Sequence, residues 1–413
     1  MSSGRNVRTK RPVSNGYRNI QKIPVKYREH ENDIPETSKL HGRNLFKLHP
    51  FRGVDYMVLA LVVILVLFGL VMIFSSSYYY AMTEAKFYND KFFFVTKQAK
   101  SAVLGLVAML LCMSINTEVF RRLSRLAYLL IGALLLAVFA LGVVANGANR
   151  WLEFMGTSLQ PSEFAKFMII IFMSDYVIKN QRKLTGNFKT FIIGAFPLLA
   201  VAGLVAIENL STGIVIAVVG IAIMFVASDT KRVRNFVALG IFGALGAIGF
   251  TLAKSYRRER ITGWLNPWAD QTNTGYQIIQ SLYAVASGGL FGLGIGQSRQ
   301  KTFIPESYND IIFAVICEEL GLVGALVVIM LFVLLIWRGT KIAMTAKDKY
   351  SSYCATGITA MIAVQVIINI AVVTNSMPNT GMPMPFISYG GTSLVVMMAS
   401  MGLLLNISAD CKK

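Results

Sequence analysis

The sequence predicts an all-α, polytopic integral membrane protein with ten transmembrane helices. Three observations lead there. The 413-residue chain has a mean hydropathy of +0.56 and only 15% charged residues, outside the usual range of soluble domains. Ten apolar segments near the length of ~20 residues that spans a bilayer follow from Val54, at about 54–76, 99–116, 127–145, 161–178, 190–207, 212–228, 235–253, 311–336, 353–373 and 389–408. The short connectors between them alternate in charge, as the positive-inside rule expects.

Ahead of the first segment, residues 1–53 carry twelve Lys/Arg against four Asp/Glu and show no hydrophobic period. They read as a disordered cytoplasmic tail with no signal-peptide core, suited to anionic headgroups of membrane lipid. Nucleic acid is not expected as a partner, because no folded motif accompanies the charge. The ten-helix domain is 54–408, and 409–413 is a short cytoplasmic C-terminus. Basic connectors around Arg121, Arg122 and Arg125, around Lys179, Arg182, Lys183 and Lys189, around Lys231, Arg232 and Arg234, and around Arg338, Lys341, Lys347 and Lys349 mark the cytoplasmic side, with both termini. The loops 77–98, 146–160, 208–211, 254–310 and 374–388 then face outward.

Several chemistries are excluded or weakened at once. All three histidines lie in the tail, and the four cysteines are scattered without metal-ligand spacing. Acid–base work in the membrane body thus falls to Asp, Glu, Lys or Tyr. The run GGLFGLGIG (288–296) lacks the preceding strand of a dinucleotide fingerprint.

The large loop between helices 7 and 8, 254–310, is external yet cationic, with Lys254, Arg257, Arg258, Arg260, Arg299 and Lys301. Within it, 275–295 reads as an interfacial or re-entrant helix ending in glycine turns. The basic residues suit a phosphate-bearing lipid; Trp264, Trp268 and Tyr283 alternatively make it a membrane anchor. Directly after it, KTFIPESYNDIIFAVICEELG (301–321) places Asp310 where a helix meets water, with Glu306 one turn earlier if the helix extends back. Such a carboxylate is either a desolvated general base or an N-cap. In NGANRWLEFMGTSLQPSEFAK (146–166), Pro161 suits the first turn of helix four, with Gln160 or a neighbour capping it. Glu163 and Lys166 are spaced to pair inside that span, and Arg150 sits at the interface. TNSMPNTGMPMPFISYGGTS (374–393), with Pro383, Pro385, Ser388, Gly390 and Gly391, prescribes a fixed irregular loop. At membrane depth such backbone is either a helix break or a cavity lining.

NGANRW, LQPSEFAK, IPESYNDIIFAVICEELG and PMPFISYGGTSL, in this order across the ten spans, resemble the SEDS family (shape, elongation, division and sporulation) over about 54–408. FGLVMIFSSS (68–77) and the TGMPMPFISYGGTS ending look closer to its division and sporulation branch, FtsW and SpoVE, than to the elongation branch, RodA. The resemblance implies a peptidoglycan glycosyltransferase that polymerises lipid II at the outer face of the bacterial cytoplasmic membrane, at the division septum. It implies a class B penicillin-binding protein and other division-machinery proteins as partners. The family's essential acid corresponds to Asp310. This chain departs from many relatives with Tyr308-Asn309 where they have His-Thr. It also has Glu208-Asn209 where many have Pro-Asp, so a carboxylate there would come from Glu208 at a shifted position.

On that basis Asp310 is expected to deprotonate the acceptor hydroxyl. Arg150, Lys166, Arg257, Arg258, Arg299, Lys301 and Glu306, with Ser388, Gly390 and Gly391, are expected to contact substrate. Glu163, Pro161, Pro383 and Pro385 are expected to be structural. Inversion at the anomeric carbon needs no covalent glycosyl-enzyme. A divalent cation (Mg or Mn) could assist the diphosphate, though no ligand cluster demands one. A lipid II flippase, which would place its charges at mid-membrane, and a non-catalytic scaffold of the division machinery remain open.

Overall fold

The structure, a computed structural model, describes residues 53–411 apart from 85–86, 88, 142, 146–147, 155–156, 185–186, 229–232 and 253–254, with side chains described outside 139–158 and 252–257. The expected tail thus lies outside the described residues except at Gly53. Each of the ten apolar segments overlaps a helix of at least 18 residues. These are α1 (Tyr56–Thr83), α2 (Phe93–Ser114), α3 (Thr117–Leu141), α4 (Pro161–Lys179), then, past the short α5 (Gln181–Leu184), α6 (Phe188–Glu208), α7 (Leu210–Ala227) and α8 (Val233–Leu252). After α9 (Ser255–Leu265) and α10 (Tyr276–Ser287) come α11 (Ile312–Thr345), α12 (Lys349–Val373) and α13 (Gly391–Ala409). Eight of the ten are long and apolar enough to cross a membrane; the other two, α3 and α4, carry charges discussed below.

The all-α class holds, with one small sheet in a loop. Val143–Ala145, Ala148–Phe154 and Thr157–Leu159 form a three-stranded antiparallel sheet, β1-β2-β3. The physical reason is local: Asn146-Gly147 is a two-residue hairpin signal between short apolar runs, and the segment is too short for a helical crossing. Arg150 falls on β2, and its side chain is outside the described ones.

α12 runs through the interior and serves as a ruler for the bundle. At its start Tyr350 lies near Asp175 of α4; at Gln365 it meets Lys166, and at Asn369 it reaches Asp310. At ~1.5 Å rise per residue, Lys166 sits about one turn deeper than Asp310, and Asp175 lies near the opposite end. α13 lies along α2, where Gly402 leaves room for the backbone of Met109 and Asn406 donates to the carbonyls of Cys112 and Met113. Small residues at such a crossing let the helices approach closely.

α11 is broken at Gly321 (φ 66°, ψ −168°), a conformation open essentially to glycine alone. The break frees backbone groups on both sides, and the glycine run after α10 takes them up. Leu293 N–H donates to Glu318 O at 3.0 Å and Gly294 N–H to Glu319 O at 2.9 Å, while Leu322 N–H donates to Gly289 O at 2.9 Å and Val323 N–H to Leu290 O at 3.1 Å. Irregular backbone at membrane depth is tolerated where protein satisfies it in this way. GGLFGLGIG is therefore a backbone splint for a broken helix.

Candidate active site

Asp310 lies at the end of a series of turns, not within a helix. α11 begins at Ile312 and its N-cap is Ile311, without a side-chain capping bond. The N-cap alternative for Asp310 is thereby removed. So is the expected helical turn from Glu306, which is exposed, has φ 49° and accepts from Asn309 Nδ2 at 2.8 Å. The segment is held from below by Asn369, whose Nδ2 donates to Asp310 O at 2.7 Å and to Met382 O at 2.8 Å. One buried amide therefore joins the acid to the Pro/Gly loop. That loop comes so close to the carboxylate that a Cβ on Gly381 (φ 64°) would lie 3.7 Å from Asp310 Oδ2.

The carboxylate is partly accessible but enclosed by protein. Desolvation pushes its pKa up to about 6, and Glu306 adds to the rise; the Asp310 backbone N–H and Arg260 work against it. A base titrating near neutrality suits proton abstraction. Arg260 is the residue that the sequence reading counted in the loop but did not place in the site. Its guanidinium also donates to Asn379 O at 3.0 Å. Trp264, four residues on, donates Nε1–H to Asn375 O at 3.0 Å, so one face of α9 grips the Pro/Gly loop. The 260/264 spacing on a helix was the available signal. Replacing Arg260 by Ala is expected to move the acidic limb of the pH–rate profile to higher pH, because it removes a cation that favours ionised Asp310. An unshifted limb would show that Arg260 only ties down the loop.

The expected cationic set divides. Arg258 and Arg299 are exposed, and the Arg257 side chain lies outside the described ones. Lys301 is corrected from substrate contact to structure, because its Nζ lies 3.0 Å from Glu319 and 2.7 Å from Gly296 O, with only 8% of the side chain exposed. Ser75 Oγ donates to the same Glu319 carboxylate at 2.6 Å. Glu318 accepts from Ser287 Oγ at 3.2 Å, from Ser298 Oγ, and from the N–H groups of Arg299 and Gln300 at 3.1 and 3.2 Å. These two buried acids hold 298–301 onto α11.

Lys166 is likewise corrected. It is buried, 2.8 Å from Glu163 and 3.0 Å from Gln365 Oε1, so the pairing with Glu163 holds and no surface is left to offer a diphosphate. Removing one partner of a buried pair costs about 3–5 kcal/mol. The double reversal Glu163→Lys/Lys166→Glu is expected to keep more folded protein in the membrane than either single reversal. Equal loss in all three would refute direct pairing. Pro161 opens α4 and Gln160 is its N-cap residue, as expected, without a side-chain capping bond. Asn209 caps α7 by accepting from Thr212 N–H at 3.2 Å, which gives the Glu208-Asn209 turn a structural purpose.

The Pro/Gly loop dips deep, as expected: Pro385, Phe386 and Ile387 are buried, and Phe386 O packs against Gly69, midway along α1. Pro383 is half-buried beside them. Ser388 is corrected from substrate contact to structure, since its hydroxyl accepts from Met384 N–H at 2.8 Å inside the protein. Gly390 N–H donates to Gln98 Oε1 at 3.1 Å, and Gln98 Nε2 donates to Ser388 O at 3.3 Å; Gly391 opens α13 against Ser101. Ser388 and Gly390 are bonded to Gln98 of α2 and Gly391 packs against Ser101, both glycines half-buried. Among the described residues, no group of three or more His, Cys, Asp or Glu is placed to hold a metal.

The sequence model of the cell cycle protein family of FtsW, RodA and SpoVE matches residues 55–413. The chain belongs to this family. The FtsW/RodA/SpoVE assignment extends over full-length relatives. Stage V sporulation protein E of Bacillus subtilis (strain 168) is 42% identical over 359 residues, 86% of this chain and 96% of that protein. A probable peptidoglycan glycosyltransferase FtsW of Geobacter sp. (strain M18) is 36% identical over 362 residues, 86% and 97% of the two chains. Among solved structures, a peptidoglycan synthase complex that coordinates polymerization and crosslinking aligns with a TM-score of 0.69 at 26% identity, covering 86% of this chain and 98% of that one. The rod shape determining protein RodA of Thermus thermophilus aligns at 0.60 and 25%, covering 87% and 98%. Family and fold expected from the motifs are thus borne out.

Proposed function

We propose that this membrane protein is a peptidoglycan glycosyltransferase that polymerises lipid II, with Asp310 as the general base. The observation that carries the reading is the enclosed carboxylate, raised to about 6 and held between α9 and the Pro/Gly loop. Relatives named as peptidoglycan glycosyltransferases support the activity. Asp310 takes the proton of the acceptor sugar hydroxyl as that oxygen attacks the anomeric carbon of the donor. The C–O bond to the diphosphate breaks with inversion, and the lipid diphosphate leaves with the electron pair. Arg258 and Arg299, with Arg257 and Arg150, are the cations proposed to meet that developing charge. A Mg or Mn ion, if used, would draw most of its shell from diphosphate oxygens and water. A class B penicillin-binding protein at the division septum is the proposed partner; the likeness to a peptidoglycan synthase complex supports a crosslinking companion. The flippase reading loses support because Glu163 and Lys166 are buried and paired, and Glu318 and Glu319 are buried and bonded to Ser298 and Lys301.

Purified protein, with and without such a partner, is expected to convert labelled lipid II into glycan chains. Translocation of lipid II without any polymer would overturn the reading. Orientation has its own test. With Cys112, Cys317, Cys354 and Cys411 replaced, Asn273→Cys on the exposed turn before α10 is expected to react with an impermeant thiol reagent from outside intact cells. Reaction only after permeabilisation would reverse the proposed topology.

A further inference from the structure

At the end of the bundle away from Asp310, α3 and α4 flank a groove of about 510 Å³, lined by Arg125, Tyr128, Leu129, Phe172, Tyr176 and Lys179 around Asp175. Its floor is a continuous aromatic stack. The Tyr128 and Phe172 ring centroids are 4.1 Å apart, and those of Phe172 and Tyr176 5.4 Å. Tyr128 is fixed by donating its hydroxyl proton to Pro197 O at 3.1 Å. At the mouth, the buried Asp175 accepts from Arg121 at 3.1 Å, from Ser124 at 3.2 Å and from Lys179. Arg121 and Lys179 thus pair with Asp175, Arg121 lies also 3.8 Å from Glu118, and Arg125 stands beside them at the groove. Arg125 is exposed and makes no hydrogen bond or ion pair among the described residues. Beside the mouth, α3 turns Leu123, Leu126 and Leu130 outward, an apolar face suited to bilayer hydrocarbon.

We infer that this groove binds an anionic glycerophospholipid, its phosphate between Arg125 and Lys179 and an acyl chain along Tyr128, Phe172 and Tyr176. A free anion would leave the aromatic floor unused, and an uncharged chain would leave Arg125 unmatched. Asp175 orients Lys179, and Arg125 supplies the charge left for a phosphate. The volume is in the range of small-ligand grooves, and Arg and Lys at a headgroup-level mouth are the side chains that recognise lipid phosphate.

Full-length protein in mild detergent, loaded with phosphatidylglycerol or phosphatidylcholine, would be examined by native mass spectrometry for retained lipid. Wild type is expected to retain phosphatidylglycerol preferentially. Arg125→Ala/Lys179→Ala should lower that retention by about fivefold per cation removed, while Lys183→Ala, outside the groove, should not. Leu129→Trp fills the groove without touching a charge and should release the lipid too; it carries the test if the double variant does not fold. Unchanged retention in the folded groove variants, or equal loss in Lys183→Ala, would overturn the site.

Discussion

Replacing Asp310 by Asn is expected to abolish glycan polymerisation while leaving a folded protein that still inserts. General-base catalysis supplies about 10²–10⁴-fold, so the loss should be plain on a gel of labelled glycan. The direction of the titration shift separates chemistry from folding. Burial raises the Asp310 pKa from 3.8 to about 6, so the folded state prefers the protonated acid. The associated stability is present below the unfolded pKa and is lost as pH rises through about 6. A neutral Asn removes that cost, so Asp310→Asn should unfold no more easily than wild type at neutral pH. The same carboxyl makes activity fall as pH drops below about 6, and this acidic limb is the one Arg260→Ala should move. Asp310→Glu should also be poor, since it shifts the carboxylate by roughly 1 Å against the nearby Gly381. Glu306→Gln, on an exposed side chain, should leave measurable activity. Near-wild-type polymerisation by folded Asp310→Asn would place the base elsewhere.

Gly321→Ala is expected to cost the protein its fold. The backbone there is in a region that other residues occupy only at about 1–3 kcal/mol. Moreover, an added Cβ would meet Gly292 N at 2.4 Å and Leu290 C at 2.6 Å. Those neighbours are backbone atoms of the splint and cannot rotate aside. Expected results are a collapse of detergent-extractable folded protein and loss of amide protection over 288–302. Gly243→Ala, where an added Cβ meets nothing within 4 Å, is the matched control and should be silent. Normal yield and protection in Gly321→Ala would show that α11 can run straight.

The residues that signalled themselves did so through cost. Charges inside apolar segments, prolines and glycines before the last helix, and an acid at a helix boundary are expensive unless something compensates. The Glu163–Lys166 pair, the buried Pro/Gly loop and Asp310 were legible for that reason. The break at Gly321 was not. A membrane helix apolar on all faces has no amphipathic period to interrupt, and a glycine within it looks like any packing glycine. Lys301 looked like a phosphate ligand because its partner Glu319 is reached across a glycine turn at no regular spacing. Ser388 and Lys166 looked available because sequence shows polarity but not the direction in which a side chain is turned. The hairpin at 143–159 carried the Asn146-Gly147 signal but was outweighed by the helical character of its flanks.

The splinted helix also bears on the order in which the chain assembles. Every bond that fastens the glycine run and residues 298–301 to Glu318 and Glu319 joins positions a few tens of residues apart. The bonds to Glu318, for instance, span 18 to 31 residues. Ser75, by contrast, reaches Glu319 across 244 residues. Closing the shorter loops carries the smaller entropic cost, and contacts of low sequence separation form early. The glycine run and residues 298–301 are therefore a local unit with α11, able to take shape as soon as α10 and α11 have left the ribosome. Asp310 itself is fastened later, when α12 brings Asn369 to its carbonyl and to that of Met382 in the Pro/Gly loop.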